Sequence, residues 1–407
     1  MIDCLFPEFF IRRILYMSHH DIIIVGGGIS GMSLAHYCAK KGLRPLVMEK
    51  SGRVGGTFNS CRKDNFWFEL GAHSCYNSYG NLVDLLRETG SLDKIIKPVS
   101  AGYKLFTRDG IKSIMSQMSF PELLFSLPRM FGAKMAEETV ESYYSKIVGK
   151  KNFEQAIGPM FNAVICQKAN EFPADMLFKK RARRKEVLKK FGLPGGLQSI
   201  IDAVAAEPAI ETATGMEVQE IEFAANIFTV TTSDGSSFDA KSLALAVPSA
   251  AAAGMLQKSF PQIAKILTTL KAEKVETVGV IIKKEETKIG PIAALAASDD
   301  IFYSFVSRDT FPDPLYRGFA FHFKAAAGSQ ESKLERIAQV LGTKNFEHIA
   351  TANHVIPSLR LGHKETIAEI DGLLAGTPLL LTGNYFTGVA IEDCVSRSLQ
   401  ESRRVVR

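Results

Sequence analysis

Gly26-Gly27-Gly28-Ile29-Ser30-Gly31 places glycines at the first, third and sixth positions of a Gly-x-Gly-x-x-Gly run. Each glycine has a separate physical use. Gly26 permits a tight turn, Gly28 lets a pyrophosphate approach the backbone, and Gly31 lets a helix pack closely on a strand. The amides that open the following helix offer unpaired N–H groups and a partial positive charge to phosphate. About twenty residues on, Glu49 supplies a carboxylate that can accept hydrogen bonds from a ribose 2′-OH, which argues against a 2′-phosphorylated cofactor. The chemistry implied is the binding of a dinucleotide, and this unit alone does not separate NAD from FAD.

These residues need a strand before them, a helix after them and a second strand under Glu49. The sequence provides all three: a β-rich run at 21–25, helical spacing over 32–41 and an apolar run at 45–48. The stretch 81–190 reads as mostly helical, interrupted by a strand at 102–107 that turns at Arg108-Asp109-Gly110. A helix is predicted over 197–206, and strands over 217–223, 227–232, 242–247, 275–282 and 319–323. A strand at 379–382, a Gly/Asn/aromatic loop and a helix close the chain. This order implies an α/β fold, with a Rossmann-like three-layer domain around a parallel sheet and an inserted α+β domain.

The chain has 407 residues, 46% apolar and 23% charged, as in an ordinary soluble two-domain protein. Its net charge of +6 either suits an anionic substrate or an anionic membrane surface, or is a soluble surface with a slight Lys/Arg excess. Cys4, Cys38, Cys61, Cys75, Cys166 and Cys394 show no metal-ligand spacing, so no metal is expected and a reducing, cytoplasmic compartment is. No apolar run is long enough for a membrane span. The leader 1–16 is a poor signal peptide, because Arg12-Arg13 follow its apolar part and no small-residue cleavage site does. Met17, just ahead of the first strand, is a candidate start.

Further segments resemble the flavin-containing amine oxidase superfamily, in its protoporphyrinogen-oxidase-like form. Lys50-Ser51-Gly52-Arg53-Val54-Gly55-Gly56-Thr57 is similar to the extension that runs beside the cofactor's diphosphate. Phe68-Glu69-Leu70-Gly71-Ala72-His73-Ser74 is similar to the segment whose glycine lies against the flavin ring. Gly215 to Ile221 resembles the strand whose valine, here Val218, meets adenine through its backbone. Leu381-Thr382-Gly383-Asn384-Tyr385-Phe386-Thr387-Gly388-Val389-Ala390-Ile391-Glu392-Asp393-Cys394-Val395 resembles the second flavin motif, which opens a helix toward the ring. Weaker similarities lie at Gly192 to Gln198, Ala246-Val247-Pro248 and Ile356 to His363. The likeness spans about 21–402.

The resemblance implies FAD as cofactor. The positions that carry it are Gly26, Gly27, Gly28, Ile29, Ser30, Gly31, Glu49, Lys50, Arg53, Gly55, Gly56, Thr57, Gly71, Ala72, His73, Ser74, Val218, Gly383, Asn384, Val389, Ala390 and Ile391. It also implies a discontinuous FAD-binding domain (18–80, 191–257 and 365–407) and a substrate-binding domain (81–190 and 258–364) whose helical part is a candidate membrane-facing region. Tyr103, Lys104 and Tyr385 are the substrate candidates, and no catalytic side chain is named. Two departures concern the substrate: Tyr103 stands where some members carry a basic residue, and Leu359 replaces a family tyrosine.

The activity implied is hydride removal from a porphyrinogen, protoporphyrinogen or coproporphyrinogen, with dioxygen or another acceptor taking the electrons, as in porphyrin and heme biosynthesis. Alternatives are oxidation of a small amine, a carotenoid-desaturase-like activity, and a flavin-bound porphyrin carrier without turnover. The basic run Lys179-Lys180-Arg181, Arg183-Arg184-Lys185, Lys189-Lys190 is expected on a helix, either as a solvated face or as a site for carboxylates, anionic lipid or an acidic partner. The apolar stretch 120–130 is expected mainly in the core, with peripheral contact at the membrane's inner face as the second expectation. Nucleic acid is not expected, since no binding motif accompanies the charge.

Overall fold

The computed structural model describes residues 20–405. The expectations for the leader 1–16 and for Met17 lie outside the described residues. β1 (Ile22–Val25) is completely apolar and buried, as suits the central strand of a parallel sheet covered on both faces. It lies between β2 (Pro45–Glu49) and Ser242–Leu245, parallel to both, with Ile22 opposite Pro45 and Ser242. Leu379–Leu381 and Glu211–Thr214 complete this five-stranded sheet at its two edges. α1 (Ile29–Lys40) connects β1 to β2. It opens at Ile29, earlier than the expected residue 32, because glycines carry no apolar period by which a helix start can be read.

Three layers follow from where the apolar faces go. On one side of the sheet, α1 packs with the helices Gly80–Glu88, Gln198–Ala205 and Ile391–Ser402. On the other lies an antiparallel sheet of Val218–Ala224, Ile227–Thr232 and Ser237–Ala240, whose Val218, Phe228 and Val230 meet Ile23, Val25 and Leu46. The fold is therefore α/β with a Rossmann-like three-layer part.

A second, mixed sheet has seven strands, in the order His348–Pro357, Ala272–Lys283, Tyr316–Lys324, Phe302–Ser307, Ile292–Ala297, Gly102–Thr107 and Gly110–Ser113. All neighbours are antiparallel except Ile292–Ala297 with Gly102–Thr107. The strand pair Ser60–Lys63 and Phe66–Glu69 joins the two halves: Phe66, Phe68 and Leu70 pack on Ile281 and Ala320 of the mixed sheet. Gly279 and Gly318 allow this, since a Cβ at either would come within 3.0 Å of the Phe68 ring or chain. The junction so formed is where the candidate site lies.

Two expectations need correction. The basic run is not helical: the helix before it ends at Leu177, and the chain continues in irregular, partly extended form to Lys190. Its cations reach partners in different directions, Lys179 and Arg181 toward Asp393 and Arg184 toward Asp84, which one helix face could not serve. The stretch 120–130 is not core either, for Phe120, Leu124 and Phe125 are exposed.

Candidate functional site

At the glycine turn, Gly26 has φ +105°, and a Cβ there would lie 2.5 Å from the Ala246 carbonyl oxygen. A Cβ on Gly31 would lie 1.9 Å from the Gly26 oxygen, so α1 can seat on β1 only with glycine at this position. Gly28 differs. Its backbone is ordinary (φ −73°, ψ −179°), and the nearest atom to an added Cβ is Gly56 Cα at 3.9 Å. The protein leaves this space open, and no side chain caps the helix that starts beside it. Open room over bare amides at a helix N-terminus is what a diphosphate requires.

Glu49 ends β2 with its carboxylate at this turn, accepting from Gly27 N at 2.8 Å and from Ser51 N at 2.9 Å. The extension after β2 closes over the glycines: Gly28 and Gly55 form a parallel bridge, and Gly55 N donates to the Gly27 oxygen at 2.7 Å. Gly55 and Gly56 both hold positive φ. Arg53 lies under this turn and donates to the carbonyls of Phe58 and Gly56, each at 2.9 Å. Its donors thus brace the loop, and its charge remains close to the diphosphate space. Lys50 is exposed, and Val218 opens the inner antiparallel sheet with its side chain buried. Gly215 N and Met216 N donate to the Ser51 and Glu49 carbonyls, which keeps the Val218 segment beside the end of β2.

Gly71 is constrained by the protein itself. A Cβ there would lie 2.1 Å from the Thr57 carbonyl oxygen and 3.2 Å from His354 Cε1, while Ala72 N donates to that same carbonyl. His73 and Ser74 then line a cleft at the junction, with Trp67, Tyr103, Lys190, Arg308 and Phe311. The Arg308 guanidinium lies 4.4 Å from the Trp67 ring centre. Tyr103 is half-exposed at the cleft, but Lys104, the next residue on its strand, is not among the lining residues, as side-chain alternation requires.

The sequence did not suggest what lies behind His73. His73 Nε2 is 3.0 Å from His322 Nε2, and His322 Nδ1 is 2.9 Å from Thr277 Oγ1. His354 donates through Nε2 to the Leu70 carbonyl at 2.9 Å. Burial, with the nearby charges of His354 and Lys190, lowers His73 to about 3, and burial also holds His322 well below the ordinary imidazole range. The pair is therefore neutral at neutral pH and shares one N–H between two Nε2 atoms. Glu69, at the base of the cleft, accepts from Leu197 N at 2.7 Å and Ser60 Oγ at 2.8 Å, and burial raises it to about 7.

The C-terminal motif packs against the glycine turn from the other side. Ser398 Oγ donates to the Ser30 carbonyl at 2.7 Å and is 2.8 Å from Thr382 Oγ1, which links the last strand, the last helix and the turn. Asp393, in the first turn of that helix, binds Lys179 at 3.1 Å and Arg181 at 2.8 Å, and Lys179 also donates to the Thr387 carbonyl. Gly383, Asn384, Val389, Ala390 and Ile391 form the loop and helix start between them. Tyr385 needs correction as a substrate candidate. It is 2% exposed, stacked near Phe386 in the core beneath the parallel sheet, and it does not line the cleft. His363 Nε2 donates to its carbonyl at 2.7 Å, which fixes the loop backbone there.

Comparison with known proteins places the chain. The family model described as flavin containing amine oxidoreductase matches residues 29–281, more than half of the chain. Coproporphyrinogen III oxidase of Bacillus subtilis (strain 168) is 21% identical over 452 aligned positions, covering 92% of this chain and 96% of that protein. The 15-cis-phytoene desaturase of Narcissus pseudonarcissus is 30% identical over 105 residues, 26% of this chain and only 18% of that protein. Among solved structures, a candidate protoporphyrinogen oxidase from Exiguobacterium sp. 255-15 superposes with a TM-score of 0.78 at 18% identity, over 96% of this chain and 99% of that one. With the dinucleotide turn, the open space over Gly28 and the closing C-terminal helix, these findings establish that the chain belongs to the flavin-containing amine oxidoreductases and takes FAD as its cofactor.

Proposed function

We propose that the chain is a porphyrinogen oxidase, acting on coproporphyrinogen or protoporphyrinogen with dioxygen as electron acceptor. The observation that carries this reading is the makeup of the junction cleft. Trp67, Tyr103 and Phe311 offer broad aromatic surface, and Arg308 and Lys190 offer cations. Aromatic walls with flanking cations suit a large tetrapyrrole that bears carboxylates. The end-to-end similarity to a coproporphyrinogen III oxidase supports the same substrate class.

When bound, FAD supplies the two-electron acceptor. The chain's own residues hold, orient and deprotonate. The amides at the start of α1 would hold the diphosphate, Glu49 would accept from ribose hydroxyls, and the Gly55-Gly56 turn would lie beside them. Each oxidation takes a hydride from a substrate carbon and a proton from a substrate nitrogen. Bound FAD would be the acceptor of the hydride, and His73 takes the proton at Nδ1, the ring nitrogen left free by the His322 contact. The Nε2 proton of His73 can be shared with His322 Nε2, whose Nδ1–H donates to Thr277 Oγ1, and the added proton leaves again through His73 Nδ1 to water in the cleft once product has gone. Burial disfavours a resting imidazolium, so the pair returns the proton to the cleft instead of keeping it.

The amine-oxidase reading loses its aromatic wall, because the Tyr385 ring points into the core. The test is anaerobic mixing of the yellow holoenzyme with porphyrinogens and with small amines. Bleaching of the flavin band by porphyrinogens, with porphyrin fluorescence growing in, is the expected result. Bleaching by amines alone overturns the proposal, and no bleaching by any member of the panel points to a carrier.

A further inference from the structure

The strand His348–Pro357 ends the seven-stranded sheet, and its outer edge faces no other strand. At ten residues it is the longest outer strand of the three larger sheets. The others are three or four residues long or, at Val218–Ala224, carry Glu220 and Glu222. His348–Pro357 holds no Asp, Glu, Lys or Arg, its one proline is at the last position, and its register against Ala272–Lys283 runs without a shift. Sheets ordinarily guard an outer edge with charge, an internal proline, a bulge or a covering element, because a bare edge is a template for another strand. Among the described residues this edge has none of these guards.

The ladder tells which main-chain groups the edge presents. Ser358 N donates to the Lys271 carbonyl at 2.8 Å, one step beyond the pairing of Pro357 with Ala272. On the other side of Ala272–Lys283, Lys284 N donates to the Leu315 carbonyl at 2.8 Å. Antiparallel strands bond at alternate residues, so the even-numbered positions of His348–Pro357 bond inward, and Ile349, Thr351, Asn353 and Val355 turn their N–H and C=O groups outward. The side chains of these four share one face and are exposed, and among the described residues nothing else bonds to their main chain. The opposite face is fixed, since Ala350 and Ala352 pack on the cluster of Phe66, Phe68 and Leu70 and His354 bonds the Leu70 carbonyl. We propose that this edge pairs antiparallel with the same edge of a second copy, which joins two seven-stranded sheets across a two-fold axis at Ala352. The edge is its own complement. In the register that uses all four outward residues, Ile349 of one copy lies opposite Val355 of the other, and Thr351 lies opposite Asn353. About eight main-chain hydrogen bonds then form, and no like charges meet along the seam although the chain carries +6. The inference goes beyond the oxidase reading and does not depend on the substrate.

The test is light scattering of the full FAD-loaded chain at tens of micromolar, where we expect twice the mass of a single chain. Thr351→Lys should return it to the mass of one chain by placing a charge on the seam. Thr351→Pro should do the same, because it removes an outward N–H and no ladder bond within the copy. Retained flavin absorbance controls for folding. Thr351→Cys with Asn353→Cys reads the register: the two positions face each other across the seam, so oxidation should cross-link the double variant several-fold faster than Thr351→Cys alone. A chain that stays monomeric leaves the edge to a strand from another protein and overturns the proposal. A dimer that survives both Thr351→Lys and Thr351→Pro, or that cross-links equally fast through the single cysteine, overturns it too.

Discussion

Gly28 and Gly31 stand three residues apart in one turn, yet the protein constrains them differently. Gly31 is required by the fold, because a methyl group there would collide with the Gly26 carbonyl. Gly28 has space above it and an ordinary backbone, so only a ligand gives it a reason to be glycine. Gly31→Ala should therefore fail to give folded protein. Gly28→Ala should melt like the wild-type apoprotein in calorimetry while losing at least about tenfold in FAD affinity by fluorescence titration. The buried imidazoles carry a pH signature. The folded value for His73 is depressed below the unfolded one, so below about pH 6.5 the unfolded chain takes up protons first. Stability is fully present above that point and falls with pH toward about 3. His73→Asn should flatten this acid limb, by up to about 1 kcal/mol per pH unit, in thermal melts of the holoenzyme.

At the scale of elements, Glu69 fastens the end of one strand to the start of the helix Gln198–Ala205 through Leu197 N. Its folded value of about 7 is raised above that of a free carboxyl, so its contribution is complete below about pH 4.5 and is lost as pH rises through 7. Glu69→Gln keeps an acceptor for Leu197 N without the ionisation. It should match wild type near pH 4.5 and become the more stable of the two above pH 7, as denaturant midpoints at the two pH values will report. The elements legible in the sequence are those with local signals. The glycine turn, β1, β2 and the strand Gly102–Thr107 are marked by turn residues and apolar period. Ile292–Ala297 is nearly all alanine beyond Ile292 and Leu295, and His348–Pro357 exposes Ile349 and Val355 while burying His354, so neither shows an apolar period of two in its sequence. The site was legible in the same measure. Its phosphate-binding side is one contiguous motif, while the pairing of His73 with His322 depends on which strands lie over residues 66–70, a choice made by long-range packing. The basic run 179–190 read as a helix because charge spacing does not show which distant carboxylates will draw each cation away.

For the molecule as a whole, the parallel sheet is assembled from both ends of the chain, and Arg397 binds its C-terminal pieces to one another: the last strand, the last helix and the helix His363–Leu374. It is 1% exposed, donates to the Leu381 carbonyl at 3.0 Å, and binds Asp371 at 2.7 Å and Glu401 at 3.0 Å. Removing it leaves the buried Glu401 with Arg404 as its remaining cation, beside the Leu381 N–H. Arg397→Ala should cost about 3–5 kcal/mol in chemical denaturation and release the flavin at lower denaturant. The last helix also carries Ser398, whose hydroxyl grips the Ser30 carbonyl beside the first glycines. The glycine turn thus waits for a helix made 368 residues later. A ribosome-bound chain can display every glycine of the motif and still lack the wall behind it, so yellow colour should arise only once the helix Ile391–Ser402 has emerged, and a chain stalled before Ile391 should stay pale.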